Sequence, residues 1–345
     1  MTSSLADRAR AARRAEDAWA ALVRAYARRD RQGRPYLVGR PGGHACTLWP
    51  YSQVLHAAVL LGEVRRDDAV ARQLGRGLES YRRGPAYAGA RRPGVGWRYY
   101  DDNAWVGLAA AQAVALGARP EVGRLAERVL AWVRRGEEPR GGVRWREGHG
   151  GRHACSTGSA GMLALCVPGP DGEPGADALS FARRCRSFLA ESLERRDGLV
   201  ADNIDRQGQL DPSIYSYNQG LAIGLDVLLH RAGEPDALGR ARALAESTLG
   251  HFTDDDRLWR HPPAFNAVLL RTLLLLHSVD GDGRWPAAVD DYLDRAWVEA
   301  RTNATGLFTA GGIGSYGPEQ LLDQAAFVQL AALLAWPVER LDLVC

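Results

Sequence analysis

The chain has 345 residues, more than one core usually supports unless that core grows as a ring or barrel. Hydrophobic residues make up 46% and charged residues 25%, as in ordinary soluble globular proteins, and a formal charge of +3 gives no electrostatic case for nucleic acid. All 44 basic residues are arginine, which excludes a lysine Schiff base, a pyridoxal-phosphate anchor and a P-loop lysine.

Taken from the start, residues 8–30 read as a charged amphipathic helix without the apolar stretch of a secretory signal. No later run reaches the ~18 apolar residues of a membrane span, so a cytoplasmic protein without a membrane partner is expected. Helical periodicity then continues over 47–62, 67–83, 101–117, 120–136 and 153–166. The second half adds 175–195, 216–232, 234–250, 262–279, 285–303 and 318–336. Almost nothing alternates as a strand does. The five cysteines, Cys46, Cys155, Cys166, Cys185 and Cys345, are odd in number and widely spaced, which argues against a disulfide framework or a zinc site.

These twelve helices are of two kinds. Segments such as 67–83 and 234–250 are amphipathic with arginine on one face, whereas 101–117 and 216–232 are apolar nearly all round and rich in Ala and Gly. A helix with no polar face must be surrounded by protein. The apolar kind takes every second place, at steps of about 46 to 63 residues, a period that signals a closed or stacked repeat. The prediction is an all-α (α/α)6 toroid, six inner helices inside six outer ones, in a single domain over 1–345. A linear solenoid of helix pairs would not bury one whole set.

Aromatic residues gather where the apolar helices begin. They are Trp49 and Tyr51, then Trp97, Tyr99 and Tyr100, then Trp145, Tyr215 and Tyr217, Trp259 and Phe265, and Tyr316. In a toroid all inner helices point the same way, so these loops are expected to form one aromatic cup. Flat rings among hydroxyl, amide and carboxylate groups suit a sugar, although each ring taken alone can equally be a core anchor.

Within GWRYYDDNAWVGLAAAQAV, two carboxylates, Asp101 and Asp102, stand in the first turn of an inner helix. Retaining glycosidases need two carboxyl groups about 5 Å apart, one as nucleophile and one as acid/base. The helix dipole favours one ionised carboxylate, and its charge raises the pKa of the other. Helix capping is the competing reading. Asp67-Asp68, Asp254-Asp255-Asp256 and Asp290-Asp291 serve as internal controls, since they lie among arginines without an aromatic frame.

The run YYDDNAW before an Ala-rich helix resembles the acid-pair motif of glycoside hydrolase family 76, the endo-α-1,6-mannanases. Gly142-Val143-Arg144-Trp145 is similar to that family's Gly-Gly-Ile-Trp-Trp, and Tyr217-Asn218-Gln219-Gly220 to its Tyr-Asn-Gln-Gly. The resemblance implies a retaining hydrolase of α-mannosides with Asp101 as nucleophile and Asp102 as general acid/base. No cofactor and no metal is expected, and the partner expected is a small-molecule or oligosaccharide substrate. Sugar contacts are expected from Trp49, Tyr51, Trp97, Tyr100, Asn103 and Trp105. A second set is Trp145, His153, Tyr217, Asn218, Gln219 and Tyr316. Two departures stand out, Arg152-His153-Ala154 in place of the family's Lys-Asn-Ala and Phe265-Asn266-Ala267 in place of Phe-Lys-Gly.

Lesser candidates are His149 and His153, four apart but glycine-flanked and without an HExxH glutamate, so a loop or sugar role is preferred to a metal. Asn203, Asp205 and Asp211 either bind hydroxyls or form turns, and Gly311-Gly312-Ile313-Gly314 reads as a plain loop. The alternative function is the same scaffold redirected to natural-product tailoring, by cyclisation or epimerisation, or to ligand binding without hydrolysis.

Overall fold

A computed structural model describes residues 4–91, 96–169, 171–309 and 319–345. Its helices are α1 (Leu5–Tyr26), α2 (Leu48–Arg65), α3 (Ala69–Gly77), α4 (Tyr100–Ala115) and α5 (Pro120–Val133). There follow α6 (Ala154–Cys166), α7 (Ala176–Phe188), α8 (Ser216–Arg231), α9 (Ala237–Thr253) and the single turn α10 (Arg257–Arg260). The last are α11 (Pro263–Asp280), α12 (Arg284–Arg295) and α13 (Leu321–Leu334). Burial alternates as the hydrophobic pattern predicts. In α6, 12 of 13 residues are buried, whereas α3 buries none.

Two differences from the sequence reading have local causes. The first helix stops at Tyr26 and does not run on to Asp30, because Ala27–Arg29 pairs antiparallel with Pro35–Leu37. The turn between them is built by Asp30, whose carboxylate accepts from the Gln32 and Arg34 amides, and by Gly33 at φ 76°. Helices α7 and α12 each end in a wider π-type turn, at Leu189–Leu193 and Ala296–Ala300. No helix among the described residues is long and apolar enough to cross a membrane.

The chain divides into two compact units. One comprises Met1–Arg83, Tyr87–Gly96 and Leu258–Asp342, where α13 packs on α1, α2 and α11. The other comprises Gly84–Ala86, Trp97–Arg257 and Leu343–Cys345, where the buried helices α4, α6 and α8 pack in series, backed by α5, α7 and α9.

That second series depends on small residues. A Cβ placed on Gly158 of α6 would stand 2.7 Å from the Cβ of Leu221 in α8, and one on Gly107 of α4 would stand 2.6 Å from a terminal methyl of Leu163. A Cβ cannot rotate away, whereas a leucine tip can. Gly158→Ala is therefore expected to cost about 1–3 kcal/mol of stability and Gly107→Ala less, as read from urea unfolding midpoints.

Candidate active site

The second unit brings three helix starts together with one short sheet. The segment joining α5 to α6 is pinned at both ends. The Tyr100 amide donates to the Trp145 carbonyl at 2.8 Å, the Val143 amide to the Thr157 hydroxyl at 2.9 Å, and the His153 amide to the Val143 carbonyl at 3.2 Å. Arg152–His153 pairs with Asn203–Ile204, which pairs in turn with Leu210–Asp211. The sheet thereby sets residues 202–211 beside the first turn of α6, where the Ala154 amide donates to the Asp202 carbonyl at 2.8 Å.

Asp101 and Asp102 lie in the first turn of α4, half-buried, and the protein treats them differently. Asp101 accepts three hydrogen bonds. The Trp145 indole reaches Oδ2 at 3.1 Å, the Cys155 thiol reaches the same oxygen at 3.4 Å, and the Asp102 amide reaches Oδ1 at 2.9 Å. Burial pushes the Asp101 carboxyl up to about 6, with these donors holding it from rising further. The Asp102 carboxylate receives no such donor among the described residues. Burial first, and the neighbouring Asp101 charge second, push it well above the usual carboxylate range. Both carboxyls are raised by burial, but the donors around Asp101 restrain its rise and the Asp101 charge adds to that of Asp102, so Asp101 gives up its proton first.

The other acidic runs are accounted for differently. Asp67 accepts from the Ala69 amide, Asp68 pairs with Arg72, Asp254 and Asp255 pair with Arg257, and Asp290 pairs with Arg10. These are caps and surface ion pairs, worth little in stability.

Around the acid pair, Trp145 is 36% exposed and stacks on His153 at 5.4 Å, with Tyr99 at 5.0 Å. Burial holds His153 below its ordinary pKa, against the pull of the Asp202 and Asp211 carboxylates. Tyr217 and Asn218, at the head of α8, donate to Asp202 Oδ1 at 3.4 and 2.9 Å. The Asn218 side-chain oxygen, fully buried, has no hydrogen-bond partner among the described residues. Trp97 is 57% exposed, with the Arg146 guanidinium 4.2 Å over its ring.

Several expected sugar contacts are spent inside the protein. Gln219 is buried and clamps Val200 from both sides, donating to its carbonyl at 2.7 Å and accepting from its amide at 2.8 Å. Asn103 is buried and donates to the Tyr99 carbonyl at 2.7 Å. Tyr100 is buried and stacks on Trp132 at 4.5 Å, and Trp105 is buried as well. In the first unit, Tyr51 is buried with its hydroxyl on the Leu74 carbonyl at 2.8 Å, while Trp49 is half-buried against Phe265. Tyr316 and the run from Gly311 lie outside the described residues.

Asp205 is a turn former, accepting from the Gln207 and Gln209 amides at 2.8 Å, and the Asn203 amide group leans on Asp202 at 2.8 Å. The departures are also occupied structurally. Arg152 donates to the Arg140 and Gly141 carbonyls and covers Phe188, and Asn266 donates to the Leu258 carbonyl at 2.6 Å. Two site residues escape a sequence reading, Cys155 and Asp202. The one available signal was their place beside His153 and Asn203. Among the described residues, no group of three or more His, Cys, Asp or Glu is placed to hold a metal ion.

Residues 10–293 match the model of Glycosyl hydrolase family 76. No curated protein matches the sequence. Among solved structures, the chain is similar to a family 76 glycoside hydrolase from a bovine Bacteroides thetaiotaomicron strain, with 22% identity, a TM-score of 0.82, and 94% of this chain and 77% of that one covered. It is similar to a family 76 mannosidase from Bacteroides thetaiotaomicron, with 23% identity, a TM-score of 0.79, and coverage of 94% and 98%. A third is an inactive variant of an α-1,6-mannanase from Salegentibacter, with two consecutive aspartates replaced by asparagine, in complex with α-1,6-mannotriose. It shows 20% identity, a TM-score of 0.77, and coverage of 94% and 99%. At these identities the likeness shows the fold, an (α/α)6 toroid, the class that the alternation of buried and exposed helices predicts.

Proposed function

The chain belongs to glycosyl hydrolase family 76, and from that membership we propose that it cleaves α-1,6-mannan-like linkages with retention, using Asp101 as nucleophile and Asp102 as general acid/base. The observation that carries this reading is the unequal treatment of two neighbouring carboxyls, both raised by burial. Asp101 is surrounded by donors, and Asp102 by burial and negative charge. Environments that push two carboxyls apart assign one as base and the other as acid.

In the first step Asp101 bonds to the anomeric carbon, the glycosidic C–O bond breaks, and the Asp102 proton passes to the leaving oxygen. In the second step water bonds to that carbon, its proton goes to Asp102, and Asp101 departs as a carboxylate. Trp145 and Trp97 offer exposed aromatic faces for the apolar side of a sugar ring. The Asp202 carboxylate, with Tyr217, Asn218 and His153 around it, supplies polar partners for hydroxyls. The mannan side of the proposal draws on the neighbour held with α-1,6-mannotriose, whose inactivity goes with a replaced aspartate pair.

The test is turnover of α-1,6-mannotetraose by the wild type and by Asp101→Asn. Hydrolysis by the wild type and a loss of kcat of about 10⁴-fold or more in the variant are expected, as for removal of a covalent nucleophile. Turnover that survives Asp101→Asn removes the pair from the mechanism.

A pH profile is expected to follow. Activity needs Asp101 ionised and Asp102 protonated, so kcat/KM rises with pH as Asp101, at about 6, loses its proton, and falls again where Asp102 loses its own. The two limbs belong to the dyad jointly. At pH 4.5 the rate is expected to be about 30-fold below the optimum, measured at fixed ionic strength.

A further inference from the structure

Asp101 Oδ2 receives two side-chain donors from two different elements, the Trp145 indole at 3.1 Å and the Cys155 thiol at 3.4 Å. A carboxylate oxygen carries two acceptor positions, so this oxygen is filled. Oδ1 receives the Asp102 amide at 2.9 Å and, among the described residues, no side-chain donor. Cys155 is buried in the first turn of α6, held there by the Ala154 amide on the Asp202 carbonyl.

We propose that Cys155 is a positioning residue for the glycosidic reaction, its thiol joining the Trp145 indole to occupy Oδ2 of Asp101 and leave Oδ1 as the oxygen that bonds to the anomeric carbon. The inference rests on the reading of Asp101 as nucleophile. Two filled positions fix the carboxylate plane, and a fixed plane aims Oδ1 at one place. The thiol stays in its S–H form, because burial and the charges of Asp101 and Asp202 push it well above the ordinary range. It is therefore a donor at every working pH. The titratable groups around Asp101 are Asp102 and Tyr99 at the head of α4, Cys155 and His153 at the head of α6, Tyr217 on α8, and Asp202 from the sheet. Cys155 is the titratable side chain among them that donates directly to Asp101.

A donor to an anionic carboxylate lowers its pKa, so removing it raises that pKa. In Cys155→Ala the acid limb of kcat/KM on α-1,6-mannotetraose is expected to move up by about half to one pH unit, with a further loss of about 3–10-fold at pH 5 and a KM within about twofold. Cys155→Ser, which restores a donor, is expected to return the limb to its wild-type place. A limb unmoved in Cys155→Ala, or moved equally in Cys155→Ser, overturns the inference.

A second reading is independent of turnover. The S–H stretching band of the wild type, identified by its loss in Cys155→Ala, is expected to shift as Asp101 titrates and to lose that shift in Asp101→Asn. A pH-independent band contradicts the thiol–carboxylate bond. If the wild type cleaves no mannoside, the proposed function fails, and the infrared band still decides the contact.

Discussion

Exchanging Asp102 for asparagine is expected to raise stability and abolish most activity at once, with the thermal midpoint about 2–4 °C higher at pH 8 and kcat on α-1,6-mannotetraose at least 10³-fold lower. The stability half follows from linkage. Asp102 holds its proton more tightly in the folded protein than in the unfolded chain, because of burial and the Asp101 charge. A carboxyl whose folded pKa is raised supports folding fully at low pH, and that support is lost as the pH rises through its unfolded value toward its folded one. Asparagine has no proton to lose, so the variant's advantage is expected to be near zero at pH 4 and to grow toward pH 8.

The activity half follows from the leaving group. Without an acid, the sugar oxygen must leave unprotonated, whereas an activated aryl α-mannoside leaves without help. The first step on the aryl substrate is therefore expected to lose far less than hydrolysis of the tetrasaccharide. Thermal unfolding at the two pH values and kinetics on the two substrates check both halves. An Asp102→Asn variant less stable than the wild type at pH 8 would contradict the electrostatic account of the pair.

The second large effect lies beneath the site, in α8. Asp226 is fully buried, and each of its oxygens accepts from a different outer helix, Arg186 Nε of α7 at 2.8 Å and Arg240 Nε of α9 at 3.0 Å. One carboxylate thus ties α8, the helix that carries Tyr217 and Asn218, to both its neighbours. The Arg186 side chain is 10% exposed, and its other acidic partner, Glu194, stands at 3.8 Å. Removing Asp226 leaves that guanidinium buried with one distant counter-charge. Asp226→Ala is expected to cost about 3–5 kcal/mol in urea unfolding, since breaking a buried pair strands the remaining charge. Arg240→Ala is expected to cost about 1 kcal/mol, because Arg240 is 38% exposed and its loss leaves Asp226 paired with Arg186.

The helical pattern was legible because burial is periodic along the chain. Apolar residues all round 154–166 left that helix no face for water, and it is buried. The position of Asp101 and Asp102 at the head of a buried helix was legible from the apolar run that follows them, and the contrast with Asp67-Asp68 and Asp254-Asp255 is visible in the arginine partners of those runs. Sequence does not tell wall from foundation among the aromatics and amides. Tyr51, Tyr100 and Gln219 stand in the first turns of buried helices as Tyr217 does, yet their partners are Leu74, Trp132 and Val200, which only the packing reveals.

Cys155 and Asp202 were illegible for a related reason. Their place in the site depends on pairing Arg152–His153 with Asn203–Ile204, strands of two residues that carry no period to read. The hairpin that ends α1 is hidden in the same way, since Arg28 and Arg29 continue a helical pattern until Asp30 and Gly33 turn the chain.

The most direct test of the acid-pair mechanism is the anomeric form of the first product, followed by proton NMR during early hydrolysis of α-1,6-mannotetraose. With Asp101 as nucleophile and Asp102 as acid/base, the newly formed reducing end appears first as the α-anomer and only later equilibrates with the β-anomer. A β-anomer appearing first would mean that water attacks the sugar directly, and would contradict the role assigned to Asp101.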